Sequence, residues 1–334
     1  MTAHFESVDD VRDRLAEAGY LASDAIATTV FLADALGKPL LVEGPAGVGK
    51  TELAKAVAAA LSGATGTDAD LVRLQCYEGI DEARALYEWN HAKQLLRITA
   101  NTALAQASSS GAAASTSTTN SAADAQPDAS SPAGAPSGGA AHDWDELATD
   151  IFTDDFLLTR PLLRAIRNTQ PTVLLIDELD KADVEVEGLL LEVLSDFQVT
   201  VPELGTISAT QRPFVVLTSN AARDLSEALR RRCLFLHIDY PTPALEQRIV
   251  ELKVPGLDAA LVESVVRLVH RLRQMPLRKA PSVAETVDWA RTLLSLGADG
   301  TGDLDATVLR ANLGVLLKHQ DDIERASTLL KLDA

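Results

Sequence analysis

The chain has 334 residues, 46% of them hydrophobic, enough for a substantial core and in the range of two domains. Its 30 Lys and Arg stand against 48 Asp and Glu, a net charge of −18 that argues against a nucleic-acid binder. Two cysteines far apart, Cys76 and Cys233, exclude a disulfide framework or a cysteine-rich metal site. The charged start MTAHFESVDDVRDRL lacks the apolar stretch of a signal peptide. No run approaches the roughly 18 apolar residues of a membrane span, so a cytoplasmic protein is expected.

Residues 7–36 read as helical, opened by Ser7 and Asp10 at the spacing of a capping pair. LLVEG is then a short buried strand entering a glycine-rich turn, and TELAKAVAAAL beyond it is made of strong helix formers. The turn itself, Gly44-Pro45-Ala46-Gly47-Val48-Gly49-Lys50-Thr51, fits G-x-x-x-x-G-K-[ST] in the strand–helix context that pattern needs. Its glycines let backbone N–H groups turn inward around a phosphate, and the following helix adds its positive end. Lys50 has the reach for β- and γ-phosphates, and the Thr51 hydroxyl suits Mg²⁺. DLVRLQC at 70–76 is a second strand, followed by a helical stretch to about Asn101. Tyr77-Glu78-Gly79 reads as an ordinary strand-end loop.

From about 103 to 141 the chain is almost wholly Ala, Ser, Thr, Gly and Pro, which cannot bury enough surface to offset ordering. It is expected to be a disordered insertion interrupting a nucleotide-binding domain of residues 1–241. TVLLIDE (172–178) is a continuous apolar run ending in two acids, the signature of a strand buried on both faces. Asp177 at such a strand's C-terminal edge suits the Mg²⁺ shell, and Glu178 suits a general base for an attacking water. VEVEGLLLEVLSDF is an amphipathic helix, QVTVPELGTISATQRP a hairpin, and FVVLTSN (214–220) another buried strand ending in Asn220, placed to orient water. LFLHID (234–239) closes the series, with His237 read as a core or surface residue. Strands alternating with helices predict an α/β fold with a doubly wound parallel sheet. Residues 242–334 carry only helical spacing and form a small all-helical lid domain.

SEALRRRC, residues 226–233, places Arg230, Arg231 and Arg232 together before an apolar strand. Helix C-termini favour cations modestly, and that accounts for one exposed arginine better than for three. The other reading is an arginine finger that answers the γ-phosphate held by a neighbouring subunit.

The phosphate loop, LLIDELDKA, LTSN and SEALRRRC, with a helical region after them, resemble an AAA+ ATPase with the P-loop NTPase fold. RLQCYEGIDEARALYEWN, DDFLLTRPLLRAI, DFQVTVPELGTI and KAPSVAETVDWARTLL are most similar to the MoxR group. The nearest likeness is the CoxD-like branch found beside von Willebrand factor A (VWA) domain proteins. The resemblance implies that Gly44–Thr51 is Walker A and that Asp177 and Glu178 are Walker B. Asn220 would be sensor 1 and Arg232 the finger, with Arg231 the next choice. It also implies ATP and Mg²⁺ as ligands, a hexameric ring, a VWA-domain partner and a client metalloenzyme under maturation. Alternatives are an ATP-binding switch with incidental turnover and a DNA-directed AAA+ motor. One departure is that Pro281 is followed by Ser282 where MoxR-type lids often place the sensor 2 arginine, leaving Arg278 or Lys279 as substitutes.

Overall fold

The computed structural model describes residues 3–112, 150–297 and 306–330; most of the low-complexity stretch expected at 103–141 lies outside them. Two helices open the chain, α1 (Val8–Glu17) and α2 (Asp24–Leu36). Ser7 caps α1 through its Oγ, which accepts from the Asp10 amide at 3.1 Å, as the spacing predicts. β1 (Leu40–Glu43) feeds the glycine turn, and α3 (Lys50–Thr65) leaves it. β2 (Asp70–Gln75) is followed by a short α4 (Glu82–Ala85), β3 (Tyr87–Trp89) and α5 (His91–Ala112).

A short strand interrupts the helical stretch expected up to about Asn101. Tyr87, Glu88 and Trp89 are extended because they pair antiparallel with β4 (Leu157–Thr159), on the far side of residues 113–149. The tryptophan packs edge-on against Phe152, with ring centroids 5.2 Å apart. Helix α5 then runs on to Ala112.

Beyond β4 come α6 (Pro161–Arg167), β5 (Thr172–Asp177) and α7 (Val184–Asp196). The predicted hairpin is β6 (Gln198–Val201) with β7 (Gly205–Ser208). β8 (Phe214–Ser219), α8 (Glu227–Arg232) and β9 (Leu234–His237) finish the α/β part.

The main sheet has the order β2-β5-β8-β1-β9, and every pair in it is parallel. Parallel strands need crossovers, and α3, α6, α7 and α8 lie on them, while α1 and α2 precede the first strand. Leu174, Ile176, Val215 and Leu217 point to the side covered by α6 and α7. Val173, Leu175, Leu40, Val42 and Val216 point to the side covered by α1, α2 and α3. The strand register sets Gln75 beside Asp177 and Glu43 beside Ser219, so the carboxyl ends of the strands form one edge.

The helices after residue 242 are α9 (Pro243–Lys253), α10 (Ala259–Arg273), α11 (Val283–Ser295), α12 (Ala306–Leu316) and α13 (Gln320–Leu329). Trp289 of α11, fully buried, packs with Val265, Val269 and Leu313. A polar node ties three of these helices together. Glu246 of α9, buried, takes both Nη atoms of Arg273 at 2.6 and 2.8 Å, His270 Nε2 at 2.8 Å and the Thr286 hydroxyl at 2.8 Å. Among the described residues no helix is long and apolar enough to cross a membrane.

Candidate functional site

The carboxyl edge of the sheet opens into a cleft of about 700 Å³ between the α/β part and the lid. Ala46 to Thr51, Asp177, Glu178 and Asn220 all line it, so residues spread widely along the sequence meet in one place. This is where ligands bind in open α/β sheets, outside the strand ends. Tyr20 from the connection between α1 and α2, Ile26 of α2, and Val283, Val287 and Arg291 of α11 also line it.

Two glycines are there for steric reasons. A Cβ on Gly44 would stand 1.9 Å from the Ile238 carbonyl oxygen, and one on Gly47 would stand 2.4 Å from the Ser282 Cβ and Oγ. Gly47 also has φ +76°, a left-handed conformation that other residues adopt at a cost. The second contact brings the lid onto the loop, through the residue that caps α11. Gly49 stands at the N-terminus of α3, where no side chain caps the helix. Those amides and the helix dipole present a ready anion site.

Lys50 is buried, and its ammonium donates to the Gly44 and Pro45 carbonyls at 2.7 and 2.8 Å and to Asn220 Oδ1 at 2.8 Å. Burial draws its pKa below the ordinary lysine value, and the carboxylates of Asp180, Asp177 and Glu178 oppose that shift. The Asn220 amide therefore already touches the phosphate-loop lysine across the sheet.

Asp177 is held on one side by the Thr51 hydroxyl at 3.0 Å and the Thr218 hydroxyl at 2.6 Å, both on Oδ1. Its Oδ2 accepts from Arg73 Nη2 at 2.5 Å. The Thr51–Asp177 contact fits a small divalent ion, since Mg²⁺ takes one or two protein oxygens and completes its shell with phosphate and water. Among the described residues there is no group of three or more His, Cys, Asp or Glu that could hold a metal ion.

Glu178 has φ 57° and ψ 47°, a left-handed conformation for a non-glycine residue. Strain of this kind persists where the surroundings hold it, and here the Glu178 amide donates to Thr218 Oγ1 at 2.9 Å. Its carboxylate accepts from Gln75 Nε2 at 2.9 Å and from Lys181 Nζ at 2.6 Å. That pairing raises the Lys181 pKa.

The arginines of α8 are not in this cleft. Arg230 Nη2 binds Glu43 Oε1 at 2.6 Å, with its guanidinium 6.0 Å from the Phe235 ring centroid. Arg231 pairs with Glu227 one turn earlier at 3.1 Å. Arg232 donates through Nε to Ser195 Oγ at 2.7 Å and through Nη1 to the Ala228 carbonyl at 3.1 Å. The cluster thus has partners in its own chain, and Arg230 answers a buried carboxylate.

The lid substitutes for sensor 2 are not in the cleft either. The Arg278 and Lys279 amides donate to Asp322 at 2.8 and 3.1 Å, and the Lys279 ammonium lies 3.6 Å from Glu285. Two lid cations line the cleft, Lys253 of α9 and, on α11, Arg291. The signal for Arg291 was helical spacing, four residues after Val287 and eight after Val283, on one face of α11. His237 is exposed and lines the cleft, in keeping with a surface residue. Arg73, Gln75 and Lys181 are further residues at the site; they lie within RLQCYEGIDEARALYEWN and LLIDELDKA, but no role was expected of them.

The family model described as ATPase family associated with various cellular activities (AAA) matches residues 140–240. The match takes in Asp177, Glu178, Asn220 and the three arginines, while Gly44–Thr51 precedes it. No curated protein matches the chain. With its parallel five-stranded sheet, flanking helices and C-terminal helices, the chain carries an AAA ATPase domain in the P-loop AAA+ fold.

Proposed function

We propose that the protein hydrolyses ATP with Mg²⁺ as a MoxR-type remodelling chaperone. It would work as a hexameric ring with a VWA-domain partner during maturation of a client metalloenzyme. The observation that supports the hydrolytic part is the convergence of Lys50, Thr51, Asp177, Glu178 and Asn220 on one cleft, with Lys50 bonded to a residue 170 positions away. The likeness to MoxR sequence stretches supports the biological part.

In this reading the amides at the start of α3 cradle the phosphates. Lys50 exchanges its carbonyl partners for phosphate oxygens, and Thr51 and Asp177 hold the metal. When bound, Mg²⁺ neutralises charge developing on the phosphates. Glu178 accepts the proton of the attacking water, and Asn220, released by Lys50, orients that water. Arg232, or Arg231 in its place, reaches the γ-phosphate from a neighbouring copy.

A second reading, the ATP-binding switch, draws on the clamp around Glu178. Gln75 and Lys181 both hold one oxygen, Oε2, of the carboxylate that would act as a base. Glu178→Gln separates the two readings. Nucleotide binding should persist while hydrolysis falls by about 10²-fold or more, the usual worth of a general base. If the wild type hydrolyses ATP no faster than this variant, the hydrolytic reading fails. Equal client activation by both would favour the switch.

A further inference from the structure

Asp177 is buried, with a side chain 3% exposed, and it forms its ion pair with Arg73, whose side chain is 51% exposed. Of the other cations nearby, Lys50 is engaged by Gly44, Pro45 and Asn220, and Lys181 by Glu178. Arg73 and Gln75 alternate along β2, so both side chains leave the sheet on the same face. The guanidinium also donates to Gln75 Oε1, and Gln75 in turn donates to Glu178. Packing of the strand does not call for an arginine here. What calls for it is the buried carboxylate, which is costly to leave without a compensating charge.

We propose that Arg73 is a resident counter-cation for Asp177, displaced from Oδ2 when a divalent ion arrives with nucleotide. The proposal rests on reading the cleft as a nucleotide site. Asp177 is pinned by two hydroxyls, whereas Arg73 is half exposed on an edge strand and has room to swing outward. A guanidinium and a divalent ion at one carboxylate repel each other, so the ion must supply the neutralisation that Arg73 gives up. Before that exchange, Arg73 keeps Asp177 from repelling the incoming phosphates. Arg73 is therefore a positioning residue that lets nucleotide enter ahead of metal and sets the metal concentration needed to complete the site.

The test is binding of a fluorescent ADP analogue to wild type, Arg73→Met and Arg73→Lys, in EDTA and in saturating Mg²⁺, with a Mg²⁺ titration at fixed nucleotide. Thermal unfolding without nucleotide establishes that the variants fold. For Arg73→Met, metal-free affinity should fall about tenfold and the half-saturating Mg²⁺ concentration should fall several-fold, as expected from removing one close charge. Arg73→Lys should lie near the wild type on both measures. A methionine variant whose two affinities shift by the same factor, or not at all, overturns the proposal. So does a lysine variant that behaves like methionine, because the charge would then be immaterial. If the wild type binds the analogue in neither condition, the nucleotide reading itself fails and takes this inference with it.

Discussion

Cys76 and Cys233 show how the environment of a single residue decides its chemistry. Burial pushes each thiol up to about 12, aided at Cys76 by Asp177, Asp180 and Glu178 and opposed at Cys233 by Arg232 and Lys38. The thiolate is the reactive form, so at about pH 8 only ~10⁻⁴ of each side chain is nucleophilic. Iodoacetamide should leave both cysteines unmodified in the native protein and label both once denaturant unfolds it. Because the shift is upward, raising the pH by one unit should speed native labelling tenfold from a very low base. Rapid native labelling of Cys233, read by peptide mass, would mean that the α8–β9 junction opens. The residues carried by contiguous motifs were legible in the sequence, because Gly44–Thr51 and Asp177–Glu178 each complete a local pattern. Arg73 and Gln75 were not, since they meet the carboxylates through the pairing register of two strands distant in sequence.

At the scale of elements, the buried strands were the easiest to read. TVLLIDE and FVVLTSN are continuous apolar runs because a central parallel strand is covered on both faces, as β5 and β8 are. β3 and β4 escaped notice because three residues are too few for a period, and their partner lies across a long stretch of chain. The lid helices were legible as amphipathic segments, but the node that joins them was not. Glu246 is fully buried, and Arg273, its bidentate partner, also donates to the Pro281 carbonyl at 2.8 Å and sits 4.5 Å from the Tyr240 ring centroid. One arginine therefore fixes the lid internally and to the segment that leads out of β9. Arg273→Met should destabilise the protein by about 3 kcal/mol, because a buried carboxylate loses its main counter-charge. Denaturant unfolding followed by Trp289 fluorescence measures this. A loss below about 1 kcal/mol would show that His270 and Thr286 satisfy Glu246 without Arg273.

For the whole molecule, the three arginines of α8 divide by what they already hold. Arg230 is committed to Glu43, inside its own chain, and its loss should be felt as instability rather than lost turnover. Arg231 and Arg232 hold only a surface glutamate, a serine hydroxyl and a backbone carbonyl, contacts worth little in water and easily exchanged. Neither lines the cleft of its own chain, so a role at the γ-phosphate requires a second copy. In that arrangement Arg232→Ala should bind nucleotide like the wild type and hydrolyse it about 10³-fold more slowly. Lys50→Ala should bind nucleotide poorly while keeping an intact arginine. Neither variant turns over alone, yet a mixture assembles some interfaces that join a wild-type cleft to a wild-type arginine. The mixture should therefore regain part of the wild-type rate, rising and falling with the mixing ratio. A mixture as inactive as its components, from subunits shown to co-assemble, would remove Arg232 from the shared site and move the same test to Arg231.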